Sequence, residues 1–205
     1  MVVCSNAFKV KRRIDIAKEV LIKACEETIP AQTLVALRVF GHKKADACRT
    51  DLEVRLQALN VKKMTKILKK IKAKNLAKTP IAASLAKVAQ DLSSAKGKKV
   101  IILVTDGKET CEGNASKEIE NLKALGIDVR LNIVGFAIED KALKKEFETW
   151  AKLGNGAYFE ANDKKSLEDA VKKALQVPYA VYDLDNELLA RGIVGDNGLK
   201  LKGGY

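Results

Sequence analysis

Three side chains that carry oxygen atoms stand at the ends of predicted elements: Ser5 before the first helix, Thr79 before the third helix, and Asp106 after the most apolar strand. Hydroxyls and a carboxylate, with no sulfur or imidazole among them, suit a hard cation such as Mg²⁺. Each also has a structural interpretation, because Thr79 can cap a helix and Asp-Gly after a strand is a common turn. The residue types alone leave both interpretations open.

The element that must position Asp106 is the run from Lys99 to Thr105, which contains five consecutive aliphatic residues. A strand without polar alternation is typical of a parallel sheet that helices cover on both faces. In open sheets of this kind, ligands bind in the crevice beyond the carboxyl ends of the strands. Asp106 is therefore the first candidate for a ligand-binding residue.

Helical and strand patterns alternate along the first 176 residues. Apolar residues at three- and four-residue spacing predict helices over 13–28, 62–75, 80–92, 115–125, 139–153 and 164–176. Apolar runs predict strands over 33–40, 51–56, 99–105, 127–134 and 157–160. This order predicts an α/β fold with a doubly wound, mostly parallel sheet and helices on both faces. The first two strands are joined by a short loop, so we expect them to pair antiparallel.

The sequence pattern changes from alternating helices and strands to short strand-like pieces from Pro178 onward. Short strand-like pieces over 179–184, 187–193 and 199–201 are separated by Asp-Asn and Asp-Asn-Gly turns, and no helical pattern follows. We interpret residues 178–205 as a truncated β-hairpin segment of a following β-domain.

The chain is strongly basic, with 38 Lys and Arg against 26 Asp and Glu and a formal net charge of +12. An acidic protein, nucleic acid or an anionic surface could each balance this charge. Seven lysines surround the apolar stripe of the predicted helix at 62–75, and no acid lies between Glu53 and Asp91. We favour a solvated face over nucleic-acid binding, since only 5% of residues are aromatic and stacking platforms are scarce.

The sequence lacks the motifs of several enzyme and membrane classes. No G-x-G-x-x-G or G-x-x-x-x-G-K-[ST] follows a predicted strand, and His42 is the sole histidine, without a Ser-His-Asp set. The four cysteines show no CxxC spacing, and Cys25 falls on the apolar side of a helix as a core residue. No apolar run reaches the roughly 20 residues that span a bilayer. We expect a non-enzymatic protein without a membrane span or a small-molecule substrate.

Five segments resemble bacterial von Willebrand factor type A domains: 13–20 (RIDIAKEV), 37–42 (LRVFGH), 78–82 (KTPIA), 104–111 (VTDGKETC) and 134–136 (VGF). The resemblance covers about residues 1–177. It implies a six-stranded doubly wound sheet of the Rossmann-like kind, with a metal-ion-dependent adhesion site at its top. It also implies a non-catalytic binding or adhesion module, in which an acidic side chain of a protein partner completes the coordination of the ion.

The resemblance assigns metal-binding roles residue by residue. Thr79 matches the threonine of the second loop, Asp106 matches the aspartate of the third loop, and Ser5 matches the first serine of the Asp-x-Ser-x-Ser loop. Val3 and Ala7 stand where the family has Asp and the second Ser. The implied ion is Mg²⁺, with Mn²⁺ or Ca²⁺ as substitutes. A metal-independent scaffold domain with a decayed site is the alternative that Val3 and Ala7 favour.

The same alignment leaves the first strand mostly absent, because Met1-Val2-Val3 alone could represent it. We therefore expect a fragment of a longer protein, with the type A domain over residues 1–177. In the family's strand order Cys48 and Cys111 both lie at the top of the sheet. A Cys48–Cys111 disulfide is our hypothesis, with free thiols as the alternative. The disulfide would imply an exported protein, extracellular or periplasmic.

Overall fold

A computed structural model describes residues 12–176 and 178–193 of the chain. The helices are α1 (Arg13–Lys23, continued by a π-helical turn at Ala24–Thr28), α2 (Val61–Lys70), α3 (Ile81–Ala86), α4 (Val88–Asp91), α5 (Ala115–Ala124), α6 (Lys141–Leu153) and α7 (Lys164–Leu175). The strands are β1 (Leu34–Phe40), β2 (Thr50–Ala58), β3 (Lys99–Thr105), β4 (Val129–Phe136), β5 (Tyr158–Ala161), β6 (Pro178–Tyr182) and β7 (Leu188–Ile193). The predicted α/β class is confirmed, although the single helix predicted over 80–92 is two short helices, α3 and α4.

Four of these helices begin at a residue whose side chain accepts a hydrogen bond from the first turn. Asn60 accepts a hydrogen bond from the Lys63 N–H at the start of α2, and Asn114 accepts one from the Lys117 N–H at the start of α5. Asp140 caps α6, and Asp163 forms a capping box with Ser166 at α7. These caps satisfy backbone donors that the first turn of a helix leaves unpaired.

The strands form three sheets among the described residues. β3, β4 and β5 make a parallel sheet in that order, with Thr105 opposite Gly135. β1 and β2 pair antiparallel as predicted, with Phe40 opposite Thr50, and β6 and β7 form a separate antiparallel hairpin. The single six-stranded sheet that the resemblance implies is therefore not what the described residues form.

The sheet is divided because two strands, β1 and β3, each have one side without a strand partner among the described residues. Within the described part of the chain, β1 pairs with β2 alone and β3 pairs with β4 alone. Although Ile101 and Leu103 pack into one core cluster and Ile102 and Val104 into another, β3 is mostly half-buried while β4 is almost fully buried. An unpaired edge accounts for this difference. The central first strand that the resemblance implies, which Met1-Val2-Val3 alone could represent, lies outside the described residues.

Shared core clusters connect the β1–β2 sheet to the β3–β4–β5 sheet. On one face α1 contributes Val20 to the cluster that holds Val134 and Leu167, and Cys25 to the cluster that holds Val54 and Leu68. On the other face Phe40 of β1 packs against a cluster that includes Ile81, Leu103 and Phe147. The buried Cys25 confirms its predicted core position.

One buried polar residue fixes the central strand against its neighbours. Asn132 of β4 is 3% exposed; its Nδ2 donates to the Ala174 carbonyl at 2.6 Å and its Oδ1 accepts from the Ala157 N–H at 3.0 Å. The chain passes so close here that a Cβ atom at Gly156 would overlap the Leu131 carbonyl oxygen. The amide therefore joins β4 to the start of β5 and to the end of α7.

The hairpin of β6 and β7 exposes apolar side chains, namely Tyr182, Leu184, Leu188 and Leu189. Its strands lie where the sequence predicts them, whereas the predicted piece at 199–201 falls outside the described residues. Among the described helices, none has the length and apolar character needed to cross a membrane.

Candidate functional site

The segment that follows α2 lies across the carboxyl ends of β1 and β3. The Lys74 N–H donates to the Gly41 carbonyl at 2.9 Å, just beyond the end of β1. Further along, the Thr79 Oγ1 atom lies 4.0 Å from the position that a Cβ atom at Gly107 would take, just beyond the end of β3. Thr79 and the Asp106-Gly107 turn are therefore neighbours just beyond the carboxyl end of β3.

Thr79 does not cap α3, contrary to the structural interpretation of its sequence position. The cap residue is Pro80, and no side chain caps this helix. The backbone of Thr79 is held instead by Thr110, whose Oγ1 accepts from the Thr79 N–H at 2.6 Å and whose N–H donates to the Thr79 carbonyl at 3.2 Å. The hydroxyl of Thr79 makes no hydrogen bond to other described residues, so it is available to a ligand.

Asp106 presents an exposed carboxylate on a fixed turn. Its side chain is 58% exposed, and the Nη1 atom of Arg13 lies 3.6 Å from its Oδ2. The turn is held by buried Thr105, whose Oγ1 donates to the Gly107 carbonyl at 2.9 Å. An exposed ion pair at this distance is weak, so Arg13 leaves Asp106 free to exchange partners.

Glu109 holds the same loop through two hydrogen bonds, a role that was not predicted from the sequence. One carboxylate oxygen accepts from the Ala82 N–H at 2.7 Å and the other accepts from the Cys111 N–H at 2.6 Å. Gly113 packs against Ala82 so closely that an added Cβ atom would overlap it. The short spacing from Asp106 to Glu109 was visible in the sequence, but its partner on α3 lies 27 residues away.

A disulfide joins Cys48, in the loop between β1 and β2, to Cys111, in the loop after β3. The two Cα atoms lie 5.6 Å apart and the bond closes a sequence separation of 63 residues. Together with Glu109 and Thr110, it ties the loop that carries Asp106 to its two neighbours. The loop that carries Asp106 is therefore cross-linked to the loop between β1 and β2.

A second group of ligand-type side chains lies at the β1–β2 end of the molecule. The Nε2 atom of His42 is 3.0 Å from Glu53 Oε1, and His42, Asp51 and Glu53 each place one atom within 4.8 Å of the others. Hydrogen bonds from Lys43 hold the pKa of the Glu53 carboxyl below its usual range, and those from Arg49 do the same for Asp51. Both carboxylates already have cationic partners, so this group fits an ion-pair network better than a metal.

The third predicted metal residue, Ser5, lies outside the described residues, as do Val3 and Ala7. Of the three predicted ligands, the structure therefore brings two together, Thr79 and Asp106.

Known proteins resemble this chain in sequence and in fold. The family model described as von Willebrand factor type A domain matches residues 9–173. Two proteins of Bacillus subtilis (strain 168), both described as uncharacterized, are similar in sequence. YwmD is 36% identical over 176 residues, which cover 81% of this chain and 77% of YwmD. YwmC is 34% identical over 151 residues, which cover 69% of this chain and 64% of YwmC.

Solved structures share the fold at low sequence identity. Proximal thread matrix protein 1 from the mussel byssus superposes with a TM-score of 0.62 at 18% identity, over 82% of this chain and 44% of that chain. One structure of the mussel protein has a zinc-occupied metal-ion-dependent adhesion site motif. A von Willebrand factor type A structure from Catenulispora acidiphila gives a TM-score of 0.62 at 14% identity, over 82% of this chain and 41% of that chain.

This chain thus spans less than half the length of those two structures. The family match covers most of the chain, and it includes the loops that carry Thr79 and Asp106. The chain belongs to the von Willebrand factor type A domain family.

Proposed function

We propose that this chain is a non-catalytic protein-binding module, of the adhesion type, whose partner docks where Thr79 and Asp106 meet. The observation that supports this most is that the Thr79 hydroxyl lies beside the turn that carries the exposed Asp106 carboxylate. The loop that holds Asp106 is also cross-linked by the disulfide. A rigid support lowers the entropy lost when a partner binds, because fewer groups must be ordered. The recognised group is an acidic side chain of a protein partner.

The donor set fits a hard divalent cation in chemical type. Thr79 and Asp106 supply oxygen atoms, and Ser5 is the proposed third ligand from the first loop. Mg²⁺ is the proposed ion, with Mn²⁺ or Ca²⁺ as substitutes. When bound, the ion would supply a positive centre for the partner's carboxylate. The described residues contribute a single carboxylate, so we expect a weaker site than one with two, since charge count tunes these affinities.

A second candidate function is metal-independent binding by a scaffold domain. Arg13 favours it, because its guanidinium already lies 3.6 Å from Asp106 and can pair with an incoming carboxylate in place of a metal. In that case the partner would bind equally well with a chelator present. Nucleic acid is the weaker of the partners that the charge allows.

We also propose that the module works outside the cytoplasm, in an extracellular or periplasmic setting. The Cys48–Cys111 bond supports this, because structural disulfides persist in oxidising compartments and are rare in the cytosol.

Calorimetric titration with Mg²⁺ and Mn²⁺ tests the metal-dependent form. We expect binding heat for the wild-type protein, and its loss in Asp106→Ala, because the substitution removes the sole carboxylate of the proposed site among described residues. Asp128→Ala is the matched control, since Asp128 is an exposed aspartate that precedes the amino end of β4, at the opposite end of the strands from Asp106. Equal heats in wild type and Asp106→Ala, or no heat in either, would reject metal binding at this position.

A further inference from the structure

The exposed face of α2 carries a row of lysines. Lys62, Lys66 and Lys69 recur at four- and three-residue spacing, so they lie on one face of the helix over about 10 Å. All three are exposed, and none has an ion-pair partner in the part of the chain that the structure describes. This charge is unbalanced along the sequence too, because no acid occurs between Glu53 and Asp91.

A shallow groove runs along this row. Its volume is about 390 Å³, and it is lined by Lys62, Lys66 and Lys69 together with Val61, Thr65 and Glu26. Glu26 is the one acid in this lining. The groove therefore presents three cations, which are groups that bind phosphate oxygens.

We propose that this groove, the α2 lysine groove, binds the backbone of a linear phosphate polymer. The proposal does not depend on the proposed function, because it uses none of the residues of the Thr79–Asp106 site. Lysines in a row suit successive phosphates of one chain, whose binding releases condensed counter-ions.

The composition of the groove separates this ligand from two others. No aromatic residue lines it, so stacking on bases contributes nothing and recognition rests on phosphate charge. The apolar stripe of α2, formed by Met64, Leu68 and neighbouring Ile71, is buried in the protein and cannot enter a bilayer. A polymer of phosphates is thus favoured over a sequence-read nucleic acid and over a membrane surface.

Fluorescence anisotropy with labelled inorganic polyphosphate and a labelled oligothymidylate tests the proposal in low to moderate salt. We expect both probes to bind the wild-type chain and to weaken as salt rises. The triple variant Lys62→Ala, Lys66→Ala, Lys69→Ala should lose at least about tenfold in affinity. The slope of log affinity against log salt should fall by about 2 for the single strand, at roughly 0.7 per lost phosphate contact.

The matched control is Lys117→Ala, Lys145→Ala, Lys172→Ala, which removes the same net charge from exposed positions on α5, α6 and α7. It should bind within about threefold of wild type, and far-ultraviolet circular dichroism should show both triple variants folded. Glu26→Gln should tighten binding. Equal losses in the two triple variants would show a general effect of net charge and overturn the proposal. Absence of binding at low salt, or binding of the oligonucleotide without binding of polyphosphate, would overturn it as well.

Discussion

Replacement of Phe147 by alanine is expected to lower the free energy of unfolding by about 3–5 kcal/mol. Phe147 is 0% exposed and belongs to the largest core cluster among the described residues. Its ring centroid is 5.5 Å from that of Trp150 and 6.1 Å from that of Tyr158. The substitution leaves a cavity where α6 packs against the parallel sheet, and the rings that remain lose their contacts.

Urea denaturation, followed by circular dichroism, measures this loss as a lower midpoint at unchanged slope. Leu125→Ala is the control, because Leu125 is 67% exposed and its truncation should change stability by less than about 0.5 kcal/mol. A loss below about 1 kcal/mol for Phe147→Ala would mean that this ring does not hold α6 on the sheet.

Removal of the Cys48–Cys111 bond is the second large effect. The bond spans a sequence separation of 63 residues, and the chain-entropy model gives about 4 kcal/mol for a loop of this size. Cys48→Ser with Cys111→Ser should therefore unfold at a much lower urea concentration than the oxidised wild type. Because the bond also braces the loop that carries Asp106, we expect the same variant to bind metal more weakly.

Reduction provides the internal control for that experiment. A phosphine reductant should destabilise the wild type to the level of the double serine variant and leave the variant itself unchanged. If oxidised wild type and double variant unfolded at the same urea concentration, the bond would contribute nothing to stability. Mass analysis of the non-reduced protein should show Cys25 as a thiol, in agreement with its buried position.

Local patterns predicted most of the fold, because the signals that define these elements are themselves local. β3 was placed at its observed bounds since its aliphatic run ends sharply at Thr105. The predicted helix bounds were wrong where long-range contacts override local helix propensity. α2 was expected to reach residue 75 but ends at Lys70, after which the backbone turns to hydrogen-bond Gly41. The predicted helix over 80–92 is divided into α3 and α4, and Asp91 at its end is held by Arg38 of β1 at 2.6 Å.

The site was predictable in its residue types but not in its support. A hydroxyl before a helix and a carboxylate after a strand pointed to Thr79 and Asp106, which the structure makes neighbours. Glu109 gave no comparable signal, because its meaning depends on two backbone donors that the fold brings to it. The hydrogen bond between His42 and Glu53 was missed for the same reason, since strand pairing brings Glu53 to it.

The most direct test of the central claim is paramagnetic broadening in a ¹H–¹⁵N correlation spectrum during titration with substoichiometric Mn²⁺. If the ion binds where Thr79 and Asp106 meet, the amide signals of Thr79 and Gly107 should broaden first. Signals of Gly126 and Ile127, which precede the amino end of β4 and so lie at the opposite end of the strands, should stay sharp. Uniform broadening, or broadening centred on His42, Asp51 and Glu53, would contradict the site proposed here.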